Sequence, residues 1–289
     1  MYFLVYGFLW LLSLLPLWFL YLISDAIYGL VFYILKYRRK VVFENLHKAF
    51  PQKTEKEIRK IAKKFYHNFV DMLVETIKMI TISQRTLEKR ISANWEILDQ
   101  VYATGKSVQI HVGHNFNWEW GNLLLPRKTK YKVLAVYMPF TNKLTERLML
   151  KLRTKTGTKF LRATKMQQEF YPYRNTRYML GLIADQSPSN PKNGWWFDFM
   201  GRKTAFVKGP AKAAIANDLE VIFAFIHKPR RGHYRAVFNP PVPNVKNLEE
   251  QELTRLFVTY LEEVIQQYPD MWLWSHRRWK HEWKPEYDN

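Results

Sequence analysis

The sequence predicts an α/β fold: a central, mainly parallel sheet flanked by helices, preceded by a hydrophobic helix at the N-terminus. Short apolar runs of strand length recur through the body, and segments with helical periodicity or helix caps lie between them. Strands that alternate with helices are typical of a buried, largely parallel sheet. Because no internal repeat, low-complexity tract or interdomain linker is visible, we predict an N-terminal anchor with a basic flank over residues 1–40 and one domain over residues 41–289.

The N-terminal helix is predicted from a long stretch without charge, since the first charged side chain is Asp25. About 20 apolar residues span the hydrocarbon core of a bilayer, so residues 1–24 are predicted to form a transmembrane anchor, with a buried core helix as the alternative. The apolar residues 26–35 are too few to span alone and are expected to lie along the interface or to pack on the domain. The basic cluster within residues 36–40 then places the remaining chain on the cytoplasmic side.

Caps and periodicity predict the helices of the body. Thr54 and Glu57 have capping-box spacing, and apolar residues then recur at three- and four-residue steps as far as Thr76. Asn94 is placed to cap a second helix, which Gly105 ends. The other predicted elements are strands at 107–112, 131–137, 177–185, 219–226 and 233–239, and helices at 142–156, 206–218 and 248–267.

Composition limits the classes of function. The chain of 289 residues carries 45 Lys and Arg against 25 Asp and Glu, a formal net charge of +20, which favours anionic partners such as an acidic protein, a phospholipid surface or nucleic acid. Cysteine is absent, which excludes disulfides, thiolate metal sites and a thiol nucleophile. Neither a Walker loop nor a Gly-x-Gly-x-x-Gly motif occurs, so nothing indicates nucleotide-driven chemistry or dinucleotide redox chemistry.

The segment QIHVGHNFNWEWGN carries the predicted chemistry. His114 lies just past the strand predicted at 107–112, at the edge where open α/β sheets place their sites. Glu119 follows five residues later, within a predicted helix that Asn115 or Asn117 caps. A carboxylate that accepts the Nδ1 proton fixes the tautomer and leaves Nε2 free to remove a proton from a hydroxyl or amine. We therefore expect His114 to be a general base and Glu119 to orient it, although the spacing alone also fits a structural histidine at a helix start.

This segment, HNFNWE, is similar to the His-x4-Asp/Glu signature of membrane glycerolipid acyltransferases. The whole chain resembles the lipid A late acyltransferases of the lauroyl/myristoyl type and their relatives that acylate phosphatidylinositol mannosides. The sequence FNWEWGN is nearer the mannoside branch, and the loop 187–203 is unusually aromatic. The matching segments occur in family order after the anchor and its basic cluster: VVFENLHKAFP (41–51), HNFNWE (114–119), LIADQS (182–187), FMGRKTAFVKGPAKAA (199–214) and WLWSHRRWK (272–280).

The resemblance implies a glycerolipid-acyltransferase-like fold and an O-acyltransferase. Such an enzyme moves a fatty acyl group from a thioester, on acyl carrier protein or coenzyme A, to a hydroxyl of a glycolipid or phospholipid, here a lipid A precursor. It implies neither a cofactor nor a metal, and it places the catalytic domain on the cytoplasmic face of the inner membrane. An anionic membrane surface is therefore an expected partner, and nucleic acid is not.

Five further residues are predicted to bind substrate. Asp185 ends a predicted strand, where it is either a structural cap or a site carboxylate near His114. The resemblance suggests that an arginine near position 162 polarises the thioester carbonyl or binds a phosphate. Cations that follow an apolar lip at 195–200 are also placed to bind phosphate, although a solvated surface explains them as well. The predicted set is Arg162, Asp185, Gln186, Arg202 and Lys203.

Two other functions stay open from the sequence. His111, His114 and Glu119 together supply the nitrogen and oxygen ligands of a zinc site, which a metal-dependent hydrolase uses. The aromatic and basic residues of 272–283 also suit a non-catalytic peripheral protein that binds lipid or RNA. No recognised RNA- or DNA-binding motif accompanies them, so lipid is the expected ligand of that surface.

Overall fold

The fold contains strands and helices along most of the chain, and seven of the described strands form the central sheet. The structure is a computed structural model that describes residues 1–287, so the last two residues of the domain predicted at 41–289 lie outside the described residues. Its strands are β1 (Ile91–Ala93), β2 (Val108–Val112), β3 (Lys132–Tyr137), β4 (Lys159–Arg162), β5 (Tyr178–Ile183), β6 (Gly194–Phe199), β7 (Arg202–Val207), β8 (Glu220–Arg230) and β9 (His233–Phe238). Its α-helices are α1 (Tyr2–Leu14), α2 (Leu17–Gly29), α3 (Arg39–Ala49), α4 (Glu55–Lys78), α5 (Gln84–Arg90), α6 (Glu96–Ala103), α7 (Trp118–Leu124), α8 (Lys143–Arg153), α9 (Met166–Phe170), α10 (Gly209–Ala216) and α11 (Glu250–Gln267).

Within residues 1–287, one sheet has seven strands in the spatial order β1-β9-β8-β2-β5-β3-β4. Its neighbouring strands pair in parallel except β8 and β9, which form an antiparallel hairpin. Strands β6 and β7 form a separate antiparallel hairpin. The predicted α/β fold, with a mainly parallel central sheet flanked by helices, is therefore confirmed.

The ends of the helices follow local chemistry. Thr54 and Glu57 form the predicted capping box at the start of α4, where the Thr54 amide donates to Glu57 Oε2 at 2.8 Å. Asn94 does not cap α6, contrary to expectation. Its side chain instead donates to the carbonyl of Phe238 at 2.7 Å and accepts from the amide of Phe238 at 2.9 Å, which ties the start of α6 to β9.

The helix predicted over 206–218 is wrong in its first residues. Phe206 and Val207 complete strand β7, and α10 begins only at Gly209. Pro210 occupies the first turn of α10, where its missing N–H group would have no partner in any case. The start of this helix is therefore set by proline rather than by the apolar pattern.

The predicted anchor is two helices rather than one. Leu15 has an extended backbone, with φ −57° and ψ 144°, because a residue before proline is pushed out of the helical region, and Pro16 therefore separates α1 from α2. Helix α2 continues into one π-helical turn, Leu30–Ile34. By length and composition alone, Leu17–Ile34 is long and apolar enough to cross a membrane, whereas the span predicted at 1–24 is interrupted.

The register of two neighbouring parallel strands fixes the position of the site. Strand β2 pairs with β5 so that Val112 lies opposite Ile183, and the amide of Ala184 donates to the carbonyl of Val112 at 3.0 Å. Both strands therefore end at the same height, and the turns that follow them meet at the carboxyl edge of the sheet. The segment that follows α11, residues 268–281, is called the C-terminal segment. It lies against the first of these turns, since the amide of Phe116 donates to the carbonyl of Met271 at 3.0 Å.

Candidate active site

A histidine and an aspartate form the centre of the site. His114 follows β2 by two residues and Asp185 follows β5 by two residues, so the parallel register brings them side by side. His114 Nδ1 lies 2.5 Å from Asp185 Oδ1, and the His114 amide donates to Asp185 Oδ2 at 2.8 Å. Ring and backbone are held by the same carboxylate, which fixes the orientation of the imidazole.

Asp185 is buried, and its environment keeps it ionised. Burial raises the pKa of Asp185, but the charge of His114 and hydrogen bonds from His114 and Trp272 outweigh it and lower the pKa to about 2. The indole N–H of Trp272 donates to Asp185 Oδ2 at 2.7 Å. With an ionised acceptor on Nδ1, the imidazole carries its proton there and presents Nε2 as a base.

The other face of His114 borders a small crevice. Gln186 Nε2 lies 3.1 Å from His114 Nε2, which suits an amide N–H that donates to an unprotonated ring nitrogen. The edge of Trp118 packs against the imidazole, with ring centroids 5.3 Å apart. The crevice holds about 10 Å³, enough for one water molecule, and its lining residues are His114, Asp185, Gln186, Trp272, Leu273 and His276.

Gly113 is required by the closeness of this packing. A Cβ atom at this position would lie 2.6 Å from Leu261 Cδ1 and 2.9 Å from Asn115 Oδ1. In the structure the close neighbours are side chains of the protein itself, including Asp185 Oδ2 at 3.4 Å, so the glycine lets the carboxylate reach the turn.

Glu119 does not orient His114, and this expectation is wrong. Asn117 caps α7 as predicted, by accepting from the amide of Trp120, but the Glu119 side chain is directed to α8. Glu119 Oε1 lies 2.5 Å from Arg153 Nη2, and Arg153 Nε donates to both carboxylate oxygens at 3.0 and 3.1 Å. The acidic residue of the motif therefore joins α7 to α8, while Asp185 takes the place expected for it.

Replacing Glu119 with Gln is expected to lower stability. Both side chains of its ion pair are largely buried, with 5% and 14% exposed, so the variant leaves the Arg153 charge without its partner. Loss of one partner of a buried pair costs about 3 kcal/mol in the free energy of unfolding, measured by denaturant titration. Glu169→Gln is the matched control, since its pair with Arg162 is more exposed and should cost less than about 1 kcal/mol. An equal, small cost for both variants would contradict this structural role.

The other predicted substrate-binding residues divide into two groups. Gln186 and Asp185 contact His114, whereas Arg162 is held by Glu169, whose Oε2 accepts from the Arg162 amide at 2.7 Å. Strand β4, which ends at Arg162, lies three strand spacings from β2, about 14 Å. Lys203 is exposed and pairs with Asp198 at 3.1 Å across the β6–β7 hairpin.

Arg202, the fifth predicted binding residue, begins strand β7 and is exposed. The carbonyl of Arg202 accepts a hydrogen bond from Thr204 Oγ1 at 2.9 Å. The aromatic lip expected just before it is largely buried, since Phe199 is fully buried and Met200 is 4% exposed. These aromatic side chains therefore pack beneath the C-terminal segment, where Phe199 contacts Trp272 and Trp279.

The three ligands of the hydrolase hypothesis are not brought together. The ring of His111 packs against Phe223 of β8 and Phe257 of α11, and its Nε2 lies 2.8 Å from Gln109 Oε1. Burial lowers the pKa of His111 to about 4. Since Glu119 pairs with an arginine, no group of three potential metal ligands is found within residues 1–287.

The C-terminal segment contributes an arginine whose role the sequence does not reveal. Arg278 is 1% exposed and stacks on Phe206, with its guanidinium carbon 4.2 Å from the ring centroid. Its Nη1 donates to Ser187 Oγ and to the carbonyl of Ala205. Nε and Nη2 have no hydrogen-bond partner among the described residues. Burial lowers the pKa of Arg278 to about 10, while the charge of Asp185 raises it, so a positive charge lies next to the histidine–aspartate pair with donors to spare.

Comparison with known proteins identifies the family. The family model for the bacterial lipid A biosynthesis acyltransferase matches residues 1–281. A search of the curated proteins finds no match. The family match spans the two N-terminal helices, the histidine–aspartate pair and the C-terminal segment. The chain therefore belongs to the bacterial lipid A biosynthesis acyltransferase family.

Proposed function

We propose that this protein transfers a fatty acyl group from an acyl thioester to a hydroxyl group of a lipid A precursor, with His114 as the general base. Membership of the family makes it an acyltransferase for a lipid acceptor. The observation that carries the finer proposal is the 2.5 Å contact between His114 Nδ1 and a buried, ionised carboxylate at the carboxyl edge of the sheet. This arrangement is the one that general-base catalysis by histidine requires.

The proposed reaction needs two proton transfers. His114 Nε2 removes the proton of the acceptor hydroxyl as its oxygen attacks the thioester carbonyl carbon. The tetrahedral intermediate collapses with cleavage of the carbon–sulfur bond, and the departing thiolate takes the proton back from the imidazolium. Asp185 stabilises the charge on the imidazole between these steps. The carrier leaves as its thiol, so atoms and charges balance and no redox change occurs.

Gln186 and the C-terminal segment control access to the base. The amide of Gln186 occupies the position that the acceptor hydroxyl must take, so it has to turn away when the substrate binds. Once displaced, the amide can donate to the carbonyl oxygen of the thioester. Because the crevice holds only about 10 Å³, we expect the segment 272–276, which contributes Trp272, Leu273 and His276 to its lining, to move when the lipid enters.

Arg278 supplies a buried positive charge for an anionic group of the substrate. A buried, incompletely paired cation is costly, and that cost falls when an anion binds to its free donors. The candidate anions for these donors are the oxyanion of the tetrahedral intermediate and the phosphate of the acceptor. Either would lie near the histidine, since Arg278 Nη1 donates to Ser187, two residues after Asp185.

Replacing Arg278 with Met is expected to preserve the fold and impair transfer. Methionine fills the space between the aromatic rings and removes a buried charge, which is often neutral for stability. Loss of one donor to a developing oxyanion lowers kcat by about 10² to 10³-fold. Arg277→Met is the control, because Arg277 is exposed and should be close to wild type. Equal rates for the two variants in a steady-state transfer assay would contradict a role of Arg278 in the reaction.

A defined reconstitution tests the proposed reaction. Purified protein in phospholipid vesicles is given a labelled acyl group on acyl carrier protein or on coenzyme A, together with a lipid A precursor or a phospholipid. We expect a lipid A precursor heavier by one ester-linked acyl group, detected by mass spectrometry. Release of the label as free fatty acid would indicate a hydrolase, and acylation of phospholipid alone would contradict the proposed acceptor.

The net charge of +20 favours an acidic carrier protein as donor. Electrostatic steering weakens with ionic strength, so added salt should raise the KM for acyl carrier protein more than the KM for acyl-coenzyme A. An equal effect of salt on the KM of both donors would contradict electrostatic steering of the acidic carrier protein. The basic cluster at 36–40 favours a site on the cytoplasmic face of the inner membrane.

A further inference from the structure

The N-terminal helices are attached to the body by polar contacts along their whole length. On α1, Arg147 lies over the ring of Tyr2 at 4.0 Å and Lys151 over that of Tyr6 at 3.8 Å. At the break between the helices, Lys78 donates to the carbonyls of residues 13 and 15, at 2.7 and 2.8 Å. The first helix is therefore placed against α8 and the end of α4.

Helix α2 is held by charged side chains at its middle. Tyr21 donates to Glu75 at 2.7 Å, and Ser24 donates to Asp71 at 2.7 Å. Asp25 pairs with Arg231, again at 2.7 Å, on the turn between β8 and β9. These contacts lie near the centre of the apolar segment Leu17–Ile34.

Packing between α2 and the turn that joins β8 to β9 is close. A Cβ atom at Gly232 would lie 2.3 Å from the Tyr21 hydroxyl oxygen. Leu17 and Leu20 of α2, and Phe32 of the π-helical turn, are buried in the main hydrophobic core of the body. Asp71 pairs with Lys228 and Arg231 of the β8–β9 hairpin. If α2 crossed a bilayer in this position, these three charged side chains would enter the hydrocarbon, which is strongly unfavourable.

The opposite face of the same helices is exposed and apolar. Isolated exposed apolar residues are common on proteins, but a contiguous face of this kind marks an interaction site. The exposed side chains on α1 and α2 and on the segment that follows them are Phe3, Leu4, Phe8, Trp10, Leu11, Leu14, Trp18, Phe19, Leu22, Leu30, Tyr33, Ile34, Leu35 and Tyr37. We call this set the N-terminal apolar face.

Cationic groups lie beside this face. Arg39 stacks on Phe32 at 4.9 Å and, with Lys56 and Arg59, lines a surface groove of about 370 Å³ that also contains Glu55. On α8, Arg147 and the neighbouring lysine already lie over the rings of α1. A face of exposed hydrocarbon and tryptophan with cations at its border matches the acyl region and the anionic headgroups of a single leaflet.

We propose that the N-terminal apolar face embeds in one leaflet of an anionic phospholipid bilayer and that the chain does not cross the membrane. The N-terminus then lies on the same side as the body, opposite to what the predicted transmembrane anchor requires. Helix α1, with 13 residues and about 20 Å in length, is too short to return across a hydrocarbon core of about 30 Å. This attachment is independent of the proposed catalytic roles.

The absence of cysteine makes the topology directly measurable. A short hydrophilic tag with one cysteine is placed before Met1, and the control Gln266→Cys puts a cysteine on the exposed surface of α11. Each protein is treated with a membrane-impermeant maleimide in spheroplasts and in inside-out vesicles. We expect both cysteines to react in the inside-out vesicles and neither in spheroplasts. A tag that reacts in spheroplasts while Gln266→Cys does not would overturn the proposal.

A second measurement tests the packing of α1 in native membranes. The double variant Tyr6→Cys with Lys151→Cys should form an intramolecular bridge with a short bismaleimide, since Lys151 Nζ lies 3.8 Å from the Tyr6 ring. The single variants, which cannot bridge, are the controls. A transmembrane α2 would separate α1 from α8 by the thickness of the bilayer, so absence of the bridge would contradict the proposal.

Vesicle composition tests the proposed partner. Flotation with vesicles that contain phosphatidylglycerol should retain the protein at least about tenfold better than flotation with phosphatidylcholine vesicles. The charge-removal variant Lys56→Gln with Arg59→Gln should lose most of this preference and keep its binding to neutral vesicles. Equal binding of the wild-type protein to both vesicle types would refute the cationic border as a headgroup site.

Discussion

Replacing His114 with Ala is expected to lower kcat for acyl transfer by about 10³ to 10⁴-fold while leaving the protein folded. The reason is that the variant removes the group proposed to take the hydroxyl proton, and a neutral hydroxyl is a weak nucleophile towards a thioester. The side chain is 14% exposed and pairs with the buried Asp185, so its loss also lowers the midpoint of thermal unfolding, and the rate is compared at a temperature at which both proteins are folded. The rate is measured with labelled acyl donor under saturating conditions.

His47→Ala is the control for this variant. His47 is exposed and pairs with Glu55 on the surface, far along the chain from the sheet edge, so its loss should leave kcat unchanged. A His114→Ala protein that retains near-normal transfer would show that another group removes the proton, and the assignment of the base would be wrong.

Asp185→Asn is expected to lower kcat by about 10² to 10⁴-fold with a smaller change in KM. The amide keeps the shape of the carboxylate but loses the charge that stabilises the imidazolium. Its N–H groups also favour the tautomer in which Nδ1 is the acceptor and Nε2 carries the proton, which blocks the proposed base. Glu119→Gln, the same chemical change on the residue of the motif, should mainly lower stability. The opposite pattern, with Glu119→Gln slow and Asp185→Asn normal, would contradict the assignment.

Acid stability gives an independent measure of Asp185. Its pKa is depressed to about 2 in the folded protein, below the unfolded value of 3.8, so the carboxylate stabilises the fold above pH 4. That contribution is lost as the pH falls from 4 through 2. The wild-type protein should therefore lose more stability over this interval than Asp185→Asn, as measured by urea titration at each pH. Parallel curves for the two proteins would mean that the carboxylate is not specially stabilised.

The position of the base could be predicted from sequence, but its partner could not. His114 follows an apolar run of strand length, and sites in open sheets lie beyond the carboxyl ends of strands. The partner depends on which strand lies next to β2. In the structure it is β5, which comes after β3 and β4 in the sequence. A search for a carboxylate close in sequence therefore found Glu119 rather than Asp185.

The burial of individual side chains in the C-terminal segment is a second property that the sequence pattern does not reveal. The segment WLWSHRRWK alternates aromatic and basic residues, which is typical of a surface that contacts lipid or nucleic acid. In the structure Trp274 is fully buried, Arg278 is 1% exposed and the adjacent Arg277 is exposed. Two neighbouring arginines thus have different environments, because only one of them fits between the rings of the β6–β7 hairpin. Composition cannot distinguish them, since the hairpin comes from residues more than seventy positions earlier.

The N-terminal segment shows the same dependence on distant residues. Its length and hydropathy predicted a membrane anchor, and the apolar face supports contact with lipid. Whether the helix crosses the membrane depends on what its polar side chains meet. Tyr21 and Asp25 reach charged groups on α4 and on the β8–β9 turn, which no local pattern reveals.

The most direct measurement is the pH dependence of the single-turnover rate of acyl transfer in the wild-type protein and in His114→Ala. If the hydroxyl proton is removed by a base that must itself be unprotonated, the wild-type rate rises with pH and then reaches a plateau. The residual rate of His114→Ala should lack this rise. A His114→Ala protein with the same pH profile and a comparable rate would contradict the central claim that His114, held by Asp185, is the base of the reaction.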